Sequence, residues 1–304
     1  MAFGDVCLVL GGGGARGLAH LGVLQVFERE DIPVNCIVGT SVGAVVGACY
    51  AVCPDALGES RRALAYFKSP SFSGNAFKKV LLKSPDVEVG FLGNLVASIR
   101  KSYIFSNLLR KPSIFPGERL YEVIADLVPD KDFKDCQIPF AVPALDIQTG
   151  DEILITEGSL RQAVYASCSL PGFFPPVEHQ GRLLADAGVI GPVPVRAAKA
   201  LFQPSVTVAV DITSRLEPLE ELGCGLDVLL RVETIAGSRL NALELEKADI
   251  VVQPNVGQKY WSDFSGLEHL VNEGIISAEQ QVEAVRDLIH RSRRRSIFRK
   301  PQAT

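Results

Sequence analysis

The sequence predicts an α/β protein of three layers, α/β/α, built around a mainly parallel central sheet. Short apolar runs bounded by turn residues alternate with segments of helical periodicity, which is the pattern of a sheet covered on both faces. A chain of 304 residues, 47% hydrophobic and 22% charged, is long enough for a substantial core and has the balance of a soluble globule. One domain with insertions is the expected organisation, spanning 1–290 with a helical insertion at 68–115 and a basic tail at 291–304.

The first strand is expected at Val6 to Leu10 and the second at Asn35 to Val38. Leu18, Leu21, Val23, Leu24 and Phe27 between them lie at helical spacing, which makes a β-α-β unit. Further strands are expected at Phe140 to Ile147, Glu152 to Thr156, Arg182 to Ala185, Val206 to Ile212 and Ile250 to Gln253. Helical patterns fall around 159–167, 194–202 and 226–247. No internal repeat is visible.

Lys68 to Phe115 has a different texture. Eight basic residues (Lys68, Lys78, Lys79, Lys83, Arg100, Lys101, Arg110 and Lys111) face two acidic ones (Asp86 and Glu88), a local excess of +6 in a chain of net charge -4. Aromatic residues such as Phe72, Phe77, Phe91 and Phe115 are scattered among these charges. The segment suits an anionic lipid surface or a lid over an apolar cleft, or else a surface insertion whose aromatics pack inward. Arg291 to Lys300 form a second basic cluster, expected as a solvated, frayed terminus. The overall negative charge argues against nucleic acid as a partner.

Seven cysteines, an odd number without a C-x-x-C pair, fit a reducing compartment. Met1 is followed almost at once by the first strand, leaving no room for an export signal. The expected location is cytoplasmic, or peripheral on a membrane. The uncharged stretch from Cys36 to Cys53 reads as a buried strand, turn and helix rather than a membrane span.

"LVLGGGGARGLAH" (Leu8 to His20) places Gly12, Gly14 and Gly17 at G-x-G-x-x-G spacing after a strand. A dinucleotide site would need an acidic residue at the end of the second strand. That strand instead runs into "GTSVG", a G-x-S-x-G at a strand-turn-helix junction, which makes Ser41 a candidate nucleophile. If the two strands are neighbours, the amides of Gly12, Gly13 and Gly14 face the oxygen that becomes negative when Ser41 attacks a carbonyl. Packing of helix against strand is the structural role open to the same glycines. Arg16 can bind a phosphate or brace the loop.

None of His20, His179, His269 and His290 falls where a Ser-Asp-His order requires the base. Asp186, which ends an apolar strand before Gly188, is the candidate, if burial raises its pKa; capping the next turn is its structural role.

Together, "GGGGARGLAHLGVL", "GTSVGA", "IPFAVPALDIQTGDE", "ASCSLPGFFPPV" and "DAG" resemble the patatin-like phospholipase family, in order from Leu8 to about Asp211. The resemblance implies a lipid acyl hydrolase acting on carboxyl esters of phospholipids or lysophospholipids through a Ser41–Asp186 dyad. It also implies an acyl-serine intermediate and an oxyanion hole at Gly12 to Gly14. It further implies that neither a metal, a cofactor nor a histidine takes part in the chemistry. An acyltransferase using the same dyad, or a non-catalytic lipid-binding protein, are the alternatives. The chain departs from the family at Ala187, where glycine is usual, and at Gly191-Pro192-Val193-Pro194. A methyl at 187 fits only if that turn keeps negative φ.

Overall fold

Eight strands form one sheet in the order β5-β6-β3-β2-β1-β7-β8, with β4 paired to β3. The structure is a computed structural model that describes residues 6–70, 72, 110–218, 223–259 and 261–298. Strand β1 (Val6–Leu10) is parallel to β2 (Cys36–Gly39) on one side and to β7 (Val206–Val210) on the other. β3 (Phe140–Asp146) continues the parallel set beyond β2, and β8 (Ile250–Val252) continues it beyond β7.

Every β1 residue is buried, because alternate side chains enter different cores. Val6, Leu8 and Leu10 face the larger one, whereas Cys7 and Val9 face a smaller one with Val195, Ala198 and Phe202. The large core is closed by α1 (Leu18–Arg29), α2 (Val42–Val52), α3 (Ala56–Lys68), α4 (Gly117–Leu127) and α5 (Leu160–Cys168), and the small one by α6 (Val195–Phe202). Helix α7 (Gly225–Leu245) precedes β8, and α8 (Leu267–Glu279) packs along α1. The three layers expected from alternating strands and helices are present.

One end of the sheet is antiparallel: β4 (Glu152–Ile155) and β6 (Arg182–Asp186) both run against β3, and β5 (Val177–His179) runs against β6. The connections explain it. Residues 147–151 between β3 and β4 are too few for a crossover, so β4 must turn back. Gln180 and Gly181 both have positive φ (49° and 75°), as a two-residue hairpin between β5 and β6 requires. Three residues of β5 carry no periodicity of their own, so the sequence did not reveal that strand.

The Cys36 to Cys53 stretch is β2, a turn and α2, and among the described residues no helix is long and apolar enough to cross a membrane. All seven cysteines are free thiols. The basic C-terminal cluster departs from the frayed terminus expected for it: helix α9 (Val282–Phe298) runs through most of it, anchored by buried Val282, Val285 and Ile289. Of the 68–115 segment, residues 71 and 73–109 lie outside the described residues. Its ends pack inward: Phe72 is buried against Phe67 and Phe264, Phe115 meets Phe174, and Lys68 pairs with Glu268.

Candidate active site

The parallel register of β1 and β2 pairs Leu10 with Gly39, so the glycine loop and the serine turn leave the sheet side by side. Ser41 sits between β2 and α2 with φ 54° and ψ -121°, a conformation that costs a side-chain-bearing residue about 1–3 kcal/mol. The flanking glycines permit the turn. A Cβ on Gly39 would lie 2.3 Å from the Gly43 carbonyl oxygen, and one on Gly43 would lie 2.2 Å from that of Leu10. The turn is held by Thr40 N–H donating to Leu10 O (3.0 Å) and Ser41 N–H donating to Ser167 Oγ (3.0 Å).

Asp186 reaches the same place through β3. Ile37 and Val38 pair with Phe140 and Ala141, which carries the register of Ser41 to Ala144, and Ala144 pairs with Asp186. The Asp186 carboxylate accepts from Gly188 N–H at 2.7 Å, and the Ser41 side chain lies close enough to favour its ionised form. Burial pushes the carboxyl up to about 6, against the lowering effect of the nearby Ser41 hydroxyl and of the Gly188 N–H. Asp186 therefore caps the following turn and faces Ser41 at once, so the two roles read from the sequence are compatible. Ala187 has no positive φ, which is the condition a methyl there requires.

The end of α5 ties both residues to the scaffold, a role the sequence reading did not assign. Buried Ser167 accepts from Ser41 N–H and donates to Pro143 O at 2.7 Å, while Ser169 O accepts from Asp186 N–H at 3.0 Å. Two buried serines at the end of a helix are a signal in the sequence only once that end is known to meet the turn. Ser167→Ala leaves the Ser41 amide and the Pro143 carbonyl without this partner. We expect it to lower stability by about 1–3 kcal/mol and to reduce turnover of any reaction at Ser41, read by thermal melting and initial rates.

The glycine loop offers two amides rather than three. Gly12 N–H already donates to Pro192 O (2.9 Å), and Ala15 N–H to Trp261 O (2.7 Å), whereas the amides of Gly13 and Gly14 have no protein acceptor among the described residues. A Cβ on Gly12 would meet Ser41 Cβ at 3.4 Å, an ordinary contact that shows the loop lying against the serine turn. Arg16 braces the loop: its Nε donates to Gly13 O at 2.9 Å and its terminal nitrogen to Ser214 Oγ. Burial lowers this guanidinium to about 10, opposed by the attraction of Asp211. It stays charged, and it lines the cavity beside Ser41.

His20 is not near a role as base. Its Nε2–H donates to Gly11 O at 2.8 Å, and complete burial lowers the ring to about 4, so it is a neutral brace for the start of the loop.

Ser41, Asp186, Gly13 and Gly14 open into one cavity of about 340 Å³. Its walls are largely apolar, with Val45 and Val46 from α2, Ile124 from α4, and Phe67, Trp261 and Phe264 around them. Such a cavity takes an apolar ligand and leaves polar contacts to the few groups at the serine turn.

Comparison with known proteins agrees with this architecture. The family model for patatin-like phospholipases matches residues 8–199, which include the glycine loop, the serine turn and Asp186. Patatin-like phospholipase domain-containing protein 7 of Mus musculus is 29% identical over 214 residues, 70% of this chain and 14% of that protein. An NTE family protein of Mycobacterium tuberculosis is 30% identical over 207 residues, 68% of this chain and 49% of that protein. The chain thus spans half or less of the length of these relatives. Among solved structures, VipD from Legionella pneumophila superposes with a TM-score of 0.50 at 15% identity, over 93% of this chain and 67% of that one, a likeness of fold. With a family match across 192 of the 304 residues, and a fold that brings the matched motifs to one cavity, the chain belongs to the patatin-like phospholipase family.

Proposed function

We propose that the protein hydrolyses carboxyl esters of lipids, phospholipids or lysophospholipids, through an acyl-Ser41 intermediate. The observation that carries this reading is the Ser41 side chain beside the buried Asp186 carboxyl in the lining of an apolar cavity. In the first step Ser41 Oγ attacks the ester carbonyl carbon while its proton passes to Asp186. The carbonyl oxygen, now negative, is held by the N–H groups of Gly13 and Gly14. The C–O bond to the alcohol then breaks and Asp186 returns the proton to the leaving oxygen. A water molecule, deprotonated by Asp186, attacks the acyl carbon; the bond to Ser41 Oγ breaks, Asp186 returns the proton to that oxygen, and the carboxylic acid is released.

A carboxyl raised to about 6 suits the work better than an ordinary aspartate, because its conjugate acid is a weaker acid and the group is still ionised at neutral pH. Arg16 lines the same cavity, where its charge can face a charged part of the substrate, while its bonds to Gly13 and Ser214 keep the loop in place. The test is hydrolysis of p-nitrophenyl butyrate and of a lysophospholipid by the wild type and by Ser41→Ala. Release of nitrophenol and of fatty acid by the wild type, with loss to background in Ser41→Ala, is the expected result. Equal rates in the two would overturn the proposal.

A further inference from the structure

The cavity has a floor whose chemistry the ester reaction does not use. Val42, Val45, Val46 and Cys49 lie on one face of α2, at the spacing that lines a channel along the helix, and all four border the cavity. Cys49 lies eight positions after Ser41, a rise of about 12 Å along the helix. An extended alkyl chain advances about 1.3 Å per C–C bond, so this length holds roughly ten carbons.

At the Cys49 end stands a single guanidinium. Arg62 of α3 donates to Leu127 O at the end of α4 (2.6 Å), to Cys49 Sγ of α2 (3.2 Å) and to Glu59 Oε2 of its own helix (3.0 Å from Nε). Cys49 Sγ donates in turn to Leu127 O at 3.3 Å. One side chain therefore bridges three helices across the end of an apolar channel. Its side chain is 43% exposed, so the wall it forms has the cavity on one side and water on the other.

We propose that Arg62 is a specificity-determining residue, the end wall of an acyl channel that accepts chains of up to about ten carbons. The inference rests on the reading that the acyl group is attached at Ser41, which fixes where the chain starts. A longer chain must push the guanidinium off Leu127 O and Cys49 Sγ, leaving that carbonyl with only the weak Cys49 thiol as donor. Shorter chains leave the bridge intact and gain affinity with each methylene buried along α2.

Two length series test this. Saturated fatty acids from C4 to C16 are titrated into Ser41→Ala by displacement of a fluorescent apolar dye, and p-nitrophenyl esters of the same lengths are hydrolysed by the protein with Ser41 intact. Each is repeated in the Arg62→Ala and Cys49→Phe backgrounds. We expect affinity to rise about fourfold per methylene up to about C10 and then to stop rising. Arg62→Ala should carry the rise on to C14, increasing the C14-to-C10 ratio at least tenfold, whereas Cys49→Phe should move the break to shorter chains. If Arg62→Ala does not fold, as melting will show, the Cys49→Phe break decides alone.

Affinity that keeps rising through C16 in the wild type, or a break at the same length in every variant, overturns the end wall. Absence of ester hydrolysis with the break in fatty-acid binding retained overturns the acyl-hydrolase reading and leaves the wall standing.

Discussion

Asp186→Asn is expected to lower ester hydrolysis by about 10³-fold, within the 10²–10⁴ range of general-base assistance, and to make the protein more stable above pH 7. The two effects share one cause. In the native state burial holds the carboxyl to about 6, against an ordinary value of 3.8, so the ionised form at neutral pH is the unfavourable one. About two units correspond to roughly 3 kcal/mol of native-state cost at pH above 6. Asparagine keeps an oxygen for Gly188 N–H and carries no charge. The stability associated with the native proton is fully present below pH 4 and is lost as pH rises through 6, so the variant's advantage grows across that window and then levels off. Thermal melts of both proteins from pH 4 to 8 read it. The wild-type kcat/KM should rise about tenfold per pH unit below 6 and flatten above, because the base must be ionised. An active Asp186→Asn, or one destabilised at pH 8, would contradict this role.

Gly14→Ala is expected to reduce turnover by about 10²–10³-fold, the effect of losing one oxyanion donor, and to destabilise the protein by more than a simple backbone penalty. Gly14 has φ +59°, and a Cβ there would lie 2.2 Å from the Trp261 carbonyl oxygen, which also holds Ala15 N–H. The methyl has to move that carbonyl or the loop, and either shift displaces the Gly13 and Gly14 amides on which the proposed oxyanion hole depends. Gly150→Ala is the control. Its φ is +84° with nothing within 4 Å of the built Cβ, so it has only the backbone cost of about 1 kcal/mol and keeps full activity. Equal consequences in the two variants would show that Gly14 matters for its φ alone.

Much of this site was legible because its residues follow strand ends. The G-x-S-x-G turn and the glycine run each follow an apolar run, and neighbouring parallel strands then bring them together without further information. Asp186 was legible from its place after "RLLA" and before a glycine, although the sequence could not say that β6 runs antiparallel and meets β3 at Ala144. Hydrogen bonds between distant segments left no local pattern. In the sequence Gly12 reads as a third amide donor, but its N–H donates to Pro192 O, 180 residues later, and nothing local marks Ser167 as the acceptor for the Ser41 amide. Arg62 was equally silent, because its meaning depends on Leu127 and Cys49 meeting at one end of a channel. The family resemblance located the motifs; these cross-chain contacts come from the fold.

The most direct test of a nucleophilic Ser41 activated by Asp186 is to map the adduct of a fluorophosphonate probe by peptide mass spectrometry and to time its formation. We predict one phosphonyl group on the peptide that carries Ser41, forming at least about 100-fold more slowly in Asp186→Asn. A phosphonyl group on another residue, or the same rate in both proteins, would contradict the mechanism.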